Sequence, residues 1–199
     1  MYLLVALLFW LVSFRPVMAQ YAIWDTPVVY YDFENPNSVN IKDKMGNNNI
    51  TTYDSGTSLP ISVVSKNNSW GLKFNGSSNY AMALDSASFS QTGSFSVEAW
   101  VKITSIGTTG SFQTILSKWD ETTDQRTFRL TINTDTDNRA WPQFQVSTDG
   151  TSGNIKTVIG QTQILPNQWY LFQGYYKSHS AGWLIIMTVR ENFYKEARE

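Results

Sequence analysis

The clearest pattern in the chain is a strict alternation of apolar and other residues over positions 95–103. The apolar members are Phe95, Val97, Ala99, Val101 and Ile103. A period of two predicts a β-strand with one buried side, and burying that side requires a second layer, which favours a sheet packed on another sheet. The opposite side of the strand carries Trp100 between the carboxylate of Glu98 and the ammonium of Lys102.

Similar short alternations recur along the chain, separated by turn-forming residues. Together with 95–103 they predict about nine strands. The other segments are 28–33, 71–74, 80–84, 114–119, 127–132, 143–146, 157–164 and 168–176. Asn75 and Gly76 lie between two of these segments and predict a hairpin that joins them. Residues 43–59 show little periodicity and predict a long loop with at most one short strand.

Many short strands with frequent turns predict an all-β fold, an antiparallel two-sheet jelly-roll β-sandwich, and not a parallel α/β fold. The high aromatic content, 15% of the residues, also favours strands. The absence of cysteine excludes a disulfide framework, a thiol nucleophile and a cysteine-based zinc site. A net charge of -1 provides no basic field, so nucleic acid is not an expected partner.

The first residues form a different kind of sequence. Residues 3–14 are almost wholly apolar, and small residues precede Gln20, which predicts a cleaved secretory signal peptide over 1–19 and a secreted, extracellular protein. The alternative is a signal-anchored membrane form. The apolar run is shorter than the roughly 20 residues of a membrane-spanning helix, so stable membrane insertion after cleavage is not expected. Three glycosylation sequons, at Asn49, Asn67 and Asn75, fit a secreted glycoprotein, although such a composition also produces them by chance.

Six segments, taken in order, resemble the laminin-G-like, concanavalin A-like lectin/glucanase jelly-roll family. They are residues 31–34, 43–47, 71–80, 94–102, 115–118 and 167–170. The resemblance covers residues 28–189. It implies one convex and one concave antiparallel sheet, with ligands on the concave face or at the loop rims. It also implies an extracellular module that binds carbohydrate or protein.

The chain departs from this family at its end. A predicted strand over 182–187 leads to an atypical charged tail, residues 190–199, with helix-forming composition. Family members continue instead through further strands that close the sandwich. We therefore expect the closing C-terminal strands to be missing.

Glycoside hydrolysis requires a pair of carboxylates on either side of the scissile bond. The strand that carries Glu98 has no second acidic residue on its outer side, so we expect no enzymatic activity. His179 is the only histidine and lies in a polar turn, where it is expected to be solvated.

Sugar recognition combines an aromatic face with neighbouring groups that bond hydroxyls. Trp100 with Glu98 and Lys102 is the candidate platform, joined across the sheet by Arg129 and the glutamines at positions 143 and 145. Trp119 and Trp141 lie next to loops and are candidates for the rim, whereas Trp169 is expected to seal the core. Packing of Trp100 under a loop is the alternative that we favour for that residue.

A calcium site is the candidate metal site, because calcium takes oxygen ligands from loops. Its candidate ligands are Asp32, Glu34, Asp43 and Asn47, with Gly46 allowing a tight turn. An ordinary Asp/Gly/Asn turn without metal explains residues 43–47 equally, and it is the interpretation that we favour.

Three functions stay open on the sequence. The leading hypothesis is a secreted, non-catalytic, lectin-like module that binds a glycan, with calcium as the candidate cofactor. The second is a module of the same fold that binds an extracellular protein. The third and least favoured is a relative of the glycoside hydrolases.

Overall fold

The computed structural model describes residues 27–34, 38–58, 63–66, 69–90, 93–179 and 182–191. The predicted signal peptide, residues 1–19, lies outside these ranges. The described residues are mostly β-strand, and the only helices among them are two short 3-10 turns, which confirms the all-β prediction. Within the same ranges, no helix has the length and apolar character needed to span a membrane. The chain divides into two compact units, residues 1–84 and 85–199.

The described part of the first unit contains six short strands in two antiparallel sheets. The strands are β1 (Asn40–Ile41), β2 (Ile50–Asp54), β3 (Thr57–Ser58), β4 (Val63–Lys66), β5 (Ser69–Leu72) and β6 (Asn79–Ala83). One sheet has the order β1-β2-β3 with β6 also paired to β2, and β4 pairs with β5 in the other. Ile41 and Thr52 are buried in this unit.

Three sequence predictions are wrong in this unit. Residues 43–59, expected to hold at most one short strand, contain both β2 and β3. Residues 28–33 form no regular strand, although the backbone carbonyl of Tyr30 accepts a hydrogen bond of 2.9 Å from the backbone N–H of Lys44. The strands on either side of Asn75 and Gly76 do not pair with each other, since β5 pairs with β4 and β6 with β2. The Asn75 side chain organises the intervening segment as a loop, because its Oδ1 accepts the backbone N–H groups of residues 77, 78 and 79.

The second unit contains seven longer strands in two antiparallel sheets. The strands are β7 (Phe95–Lys102), β8 (Phe112–Asp120), β9 (Gln125–Thr134), β10 (Ala140–Ser147), β11 (Ile155–Ile159), β12 (Trp169–His179) and β13 (Gly182–Glu191). The four-stranded sheet has the order β11-β10-β9-β8, and the three-stranded sheet has the order β13-β12-β7. Arg190 and Glu191, the first residues of the predicted tail, extend β13 opposite Leu171 and Tyr170. Residues 192–199 lie outside the described ranges.

The two sheets of the second unit share one hydrophobic core, as predicted for an antiparallel sandwich. Leu130, Ile132 and Phe144 of the four-stranded sheet and Tyr170 and Phe172 of the three-stranded sheet are all 0% exposed. Strand β7 alternates as its sequence predicts, with one side partly buried against this core and the other side exposed. Each sheet therefore has an inner face on the core and an outer face that points away from it.

Candidate functional site

The outer face of the four-stranded sheet carries polar side chains on its two central strands. Gln145 of β10 lies opposite Arg129 of β9 and Thr157 of β11. One row further along, Gln143 lies opposite Thr131. Directly opposed residues project on the same side of a sheet, so these side chains form one surface, which we call the polar face.

Arg129 is the centre of a hydrogen-bond network on the polar face. Its Cζ lies 4.6 Å from the ring centroid of Trp119 and 5.4 Å from that of Phe112. Its Nε donates to Oε1 of Gln145, and its Nη1 donates to Oε1 of Glu121 at 3.2 Å. Within the described ranges, no group accepts from Nη2 of Arg129. The guanidinium is thus held in one orientation, and its Nη2 is available to donate a hydrogen bond to a ligand.

Neighbouring side chains extend the network in both directions. The indole N–H of Trp119 donates to the same Glu121 oxygen at 3.1 Å, so this carboxylate joins the indole to the guanidinium. On the other side, Nε2 of Gln145 donates to Oγ1 of Thr157 at 2.8 Å. The chain of contacts crosses the sheet from the β8 edge to the β11 edge.

Irregular pairing at the β8 edge places Trp119 beneath Arg129. The β8–β9 register shifts between Thr114 and Leu116 and again between Lys118 and Trp119. A shift of this kind adds a residue on one strand and re-aims the side chains that follow. The sequence predicts the outward direction of Arg129 from simple alternation, but it gives no signal for the bulges or for Glu121, which lies in the turn after β8.

Gln143 and Thr131 are buried side chains beside this network. They are 5% and 0% exposed, and neither Oε1 of Gln143 nor Oγ1 of Thr131 has a hydrogen-bond partner in the described structure. Buried polar atoms are normally paired, so two orphan atoms in one row of a sheet are unusual.

The predicted platform around Trp100 lies on a different surface, the outer face of the three-stranded sheet. Trp100 is 44% exposed and lies opposite Leu171. Glu98 accepts a hydrogen bond of 2.5 Å from Nε2 of Gln173 across the strands. This surface and the polar face point away from the shared core in opposite directions. The structure therefore does not join Trp100, Glu98 and Lys102 to Arg129 and the two glutamines, contrary to the sequence prediction.

Trp169 also differs from its prediction. It was expected to seal the core, but it is partly exposed and lies opposite Lys102. Its neighbour Tyr170 takes the core position and is 0% exposed. Strand β12 is aromatic on both faces, so its sequence does not show which of its aromatic residues point inward.

Trp141 lies at the end of the polar face, opposite Asn133, next to the turn between β9 and β10. Its indole N–H donates to Oδ2 of Asp135 at 2.7 Å. Nε of Arg139 donates to the same oxygen at 3.0 Å, and the backbone N–H of Arg139 donates to Oδ1 at 2.9 Å. These donors, with the Trp141 hydrogen bond as the largest influence, lower the pKa of Asp135 to about 2. Trp141 thus helps to hold this turn.

We expect Asp135 to stabilise the fold at neutral pH and to lose this contribution in acid. Its pKa is about 2 in the folded chain, and an unfolded aspartate titrates near about 3.9. A lowered folded pKa gives stability that is complete above the unfolded pKa and disappears as the pH falls towards 2. Guanidinium titrations of the wild type and of Asp135→Asn between pH 7 and pH 2 should converge at the acid end. Curves that stay parallel would contradict this assignment.

Asp43, a predicted calcium ligand in the first unit, is a hydrogen-bond acceptor for its own loop. It is 3% exposed, and its Oδ1 accepts the backbone N–H groups of Tyr30 and Met45 at 3.0 and 2.9 Å. Its Oδ2 accepts those of Asn47 and Asn48 at 3.3 and 3.1 Å. Burial alone raises the pKa of Asp43, but these backbone donors hold it below its usual value. This is the geometry of the Asp/Gly/Asn turn considered from the sequence.

The other candidate calcium ligands make different contacts. Asp32 forms an ion pair of 2.8 Å with Lys44, and its Oδ1 accepts the backbone N–H of Glu34 at 3.3 Å. Asn47 contacts Asp43 through its backbone. The described residues include no group of three or more His, Cys, Asp or Glu side chains arranged to hold a metal ion. Calcium binding stays a prediction.

Comparison with known proteins identifies the family. The model of the concanavalin A-like lectin/glucanases superfamily matches residues 74–185, which include β6 to β12 and the polar face. No curated protein and no solved structure matches the chain significantly. The chain belongs to the concanavalin A-like lectin/glucanases superfamily, whose domains bind carbohydrates or proteins.

Proposed function

We propose that this protein is a secreted, non-catalytic module that binds carbohydrate on the polar face. The observation that carries the proposal is the network in which Arg129, stacked on Trp119, is fixed by Gln145 and Glu121. Planar groups with paired donors and acceptors are suited to the neighbouring hydroxyls of a sugar ring. The apolar segment at residues 3–14 supports secretion.

The arrangement is preorganised, which favours binding. The Arg129 guanidinium contacts two rings and two hydrogen-bond acceptors, so little side-chain entropy remains to be lost when a ligand forms hydrogen bonds to Nη2. Phe112, at the β8 edge of the polar face, is 50% exposed and offers a ring for the apolar side of a sugar. Thr157 adds an exposed hydroxyl on the opposite edge. The guanidinium would orient a glycan, and the two edges would flank it.

A non-catalytic role is supported by the acid content of this network. Cleavage of a glycosidic bond needs one carboxyl group as the acid and a second as the base or nucleophile. Among the described residues, the network contains a single carboxylate, that of Glu121, and its Oε1 accepts hydrogen bonds from both Trp119 and Arg129.

We expect the wild-type protein to bind at least one glycan class on an array and Arg129→Met to bind it at least tenfold more weakly. The reason is that hydrogen bonds to a charged group contribute about 1.5–3 kcal/mol each. Trp100→Ala, on the opposite outer face, is the matched control and should bind normally. An array that is silent for the wild type, or Arg129→Met binding at full strength, would refute the proposal. Repeating the array with a chelator tests the assistance by calcium.

The outer face of the three-stranded sheet favours a second candidate function, the binding of an extracellular protein. Trp100 is exposed there beside Leu171, and large aromatic residues dominate the binding energy of protein interfaces. On this hypothesis Trp100→Ala, and not Arg129→Met, would abolish the interaction.

A further inference from the structure

The second unit also contains a cavity of about 270 Å³ where β9 begins and β10 ends. Both sheets contribute to its wall. Lining residues include Phe95, Arg126, Val146, Thr148, Asp149 and Tyr176. Val146 and Phe95 provide an apolar surface, and the loop after β10 provides polar groups.

Tyr176 gives this cavity an unfilled hydrogen-bonding position. Its side chain belongs to the core and is only 7% exposed, with its ring centroid 5.6 Å from that of Phe95. Among the described residues, its hydroxyl has no hydrogen-bond partner, unlike that of Tyr170, which bonds the backbone of Leu165 and the side chain of Gln168. This oxygen is not fully enclosed, unlike Oγ1 of Thr131, so it can be reached from the cavity and can bond a polar group of a ligand.

The charges around the cavity select against an anion. Arg126 is buried, but its guanidinium is already paired with Asp124 and also donates to the backbone carbonyls of Gly150 and Glu121. Among the described residues, Asp149 has no such cation partner. Its carboxylate accepts only from the neutral side chains and backbone of residues 147, 151 and 154. The uncompensated charge is therefore negative, and it can accept hydrogen bonds from hydroxyl groups.

The loop that holds Asp149 is fixed in position. Gly150 has φ +88°, and a Cβ there would lie 2.5 Å from the backbone oxygen of Asp124. Its backbone oxygen accepts the N–H of Arg126 at 3.3 Å. The polar side of the cavity therefore exists before any ligand binds.

We propose that this cavity binds a single neutral hexopyranose, the terminal unit of a glycan. The proposal rests on the carbohydrate-binding function proposed above and adds a second, smaller site to it. At about 270 Å³ the cavity is slightly smaller than most small-molecule sites, which measure roughly 300–1,000 Å³, so it suits one sugar ring and not a chain. Phe95 and Tyr176 face the apolar side of the ring, and Asp149 and the Tyr176 hydroxyl bond its hydroxyl groups.

The test is a titration of the protein with methyl glycosides of glucose, galactose, mannose and N-acetylglucosamine, followed by backbone amide NMR. We expect at least one of them to shift the amide signals of Thr148 and Gly150. Galacturonate and glucuronate, the anionic counterparts of galactose and glucose, should bind less well because the Asp149 carboxylate repels their charge. Tyr176→Phe removes only the hydroxyl and should weaken binding roughly three- to tenfold, the value of one neutral hydrogen bond. Tyr175→Phe, one residue away on the other face of β12, should have no effect.

The outcomes separate this proposal from the one above. If no glycoside shifts these amide signals, or if Tyr176→Phe binds as well as the wild type, the cavity is not a sugar site. The polar face is tested independently by oligosaccharides, whose binding should shift the amide signals of Arg129 and Gln145 and should depend on Arg129. Binding of oligosaccharides without monosaccharides would overturn the inference about the cavity alone.

Discussion

Replacing Phe144 with alanine is expected to lower the free energy of unfolding by about 3–5 kcal/mol, the usual cost of deleting a buried aromatic ring. Phe144 is 0% exposed and lies on β10, a central strand of the four-stranded sheet. Its ring packs against Phe95 at a centroid distance of 6.3 Å and against the backbone of Gly174 in the opposite sheet. The deletion therefore leaves a cavity between the two sheets. Equilibrium unfolding in urea, followed by tryptophan fluorescence, measures the change.

Ile159→Ala is the control for this experiment. Ile159 is 50% exposed at the edge of the same sheet, and its loss should cost about 1 kcal/mol or less. If both variants lose the same small amount of stability, Phe144 is not at the centre of the core. If Phe144→Ala does not fold, Phe144→Leu provides a milder deletion with the same expected direction.

Gly174→Ala should destabilise the protein by about 1–3 kcal/mol because it overpacks the core. A Cβ on Gly174 would lie 2.6 Å from Cδ2 and 2.7 Å from Cγ of Phe144, far inside van der Waals contact. Alanine is otherwise no worse than glycine within a strand, so a loss of stability here would come from this collision. The same urea titration measures it.

A smaller side chain at position 144 should relieve the collision with a Cβ at position 174. We expect Gly174→Ala combined with Phe144→Leu to be more stable than the sum of the two single changes predicts, by about 0.5–3 kcal/mol. Strict additivity would show that the two residues do not contact each other, and it would contradict the packing of β12 against β10.

Sequence patterns identified those strands in which one face is apolar and the other polar. The alternation over residues 95–103 predicted β7 and its inner face, and Phe128, Leu130 and Ile132 likewise identified the inner face of β9. These predictions succeeded because a single register buries all the apolar residues and exposes the polar ones. The pattern failed for Trp169 because β12 has large side chains on both faces.

The sequence did not predict which strands pair where a local turn signal favoured one partner and packing with a distant strand favoured another. Asn75 and Gly76 suggested a hairpin, but β6 pairs instead with β2, where Tyr80 stacks on Tyr53 at a centroid distance of 4.9 Å. Hydrogen bonds from the Asn75 side chain hold the loop in a form that does not bring β5 and β6 together. Turn residues show where the chain turns, but side-chain packing determines which strands pair.

The sequence by itself determined the all-β class, the family, the inner face of β7 and the outward direction of Arg129, because these follow from periodicity and from the order of local motifs. Only the tertiary structure decided which of these residues share a surface. It put Trp100 and Arg129 on opposite outer faces, since their strands belong to different sheets on either side of one core. It also brought Trp119 and Glu121 to Arg129 through register shifts between β8 and β9. Such contacts depend on strand order and register between distant segments, which no local pattern records.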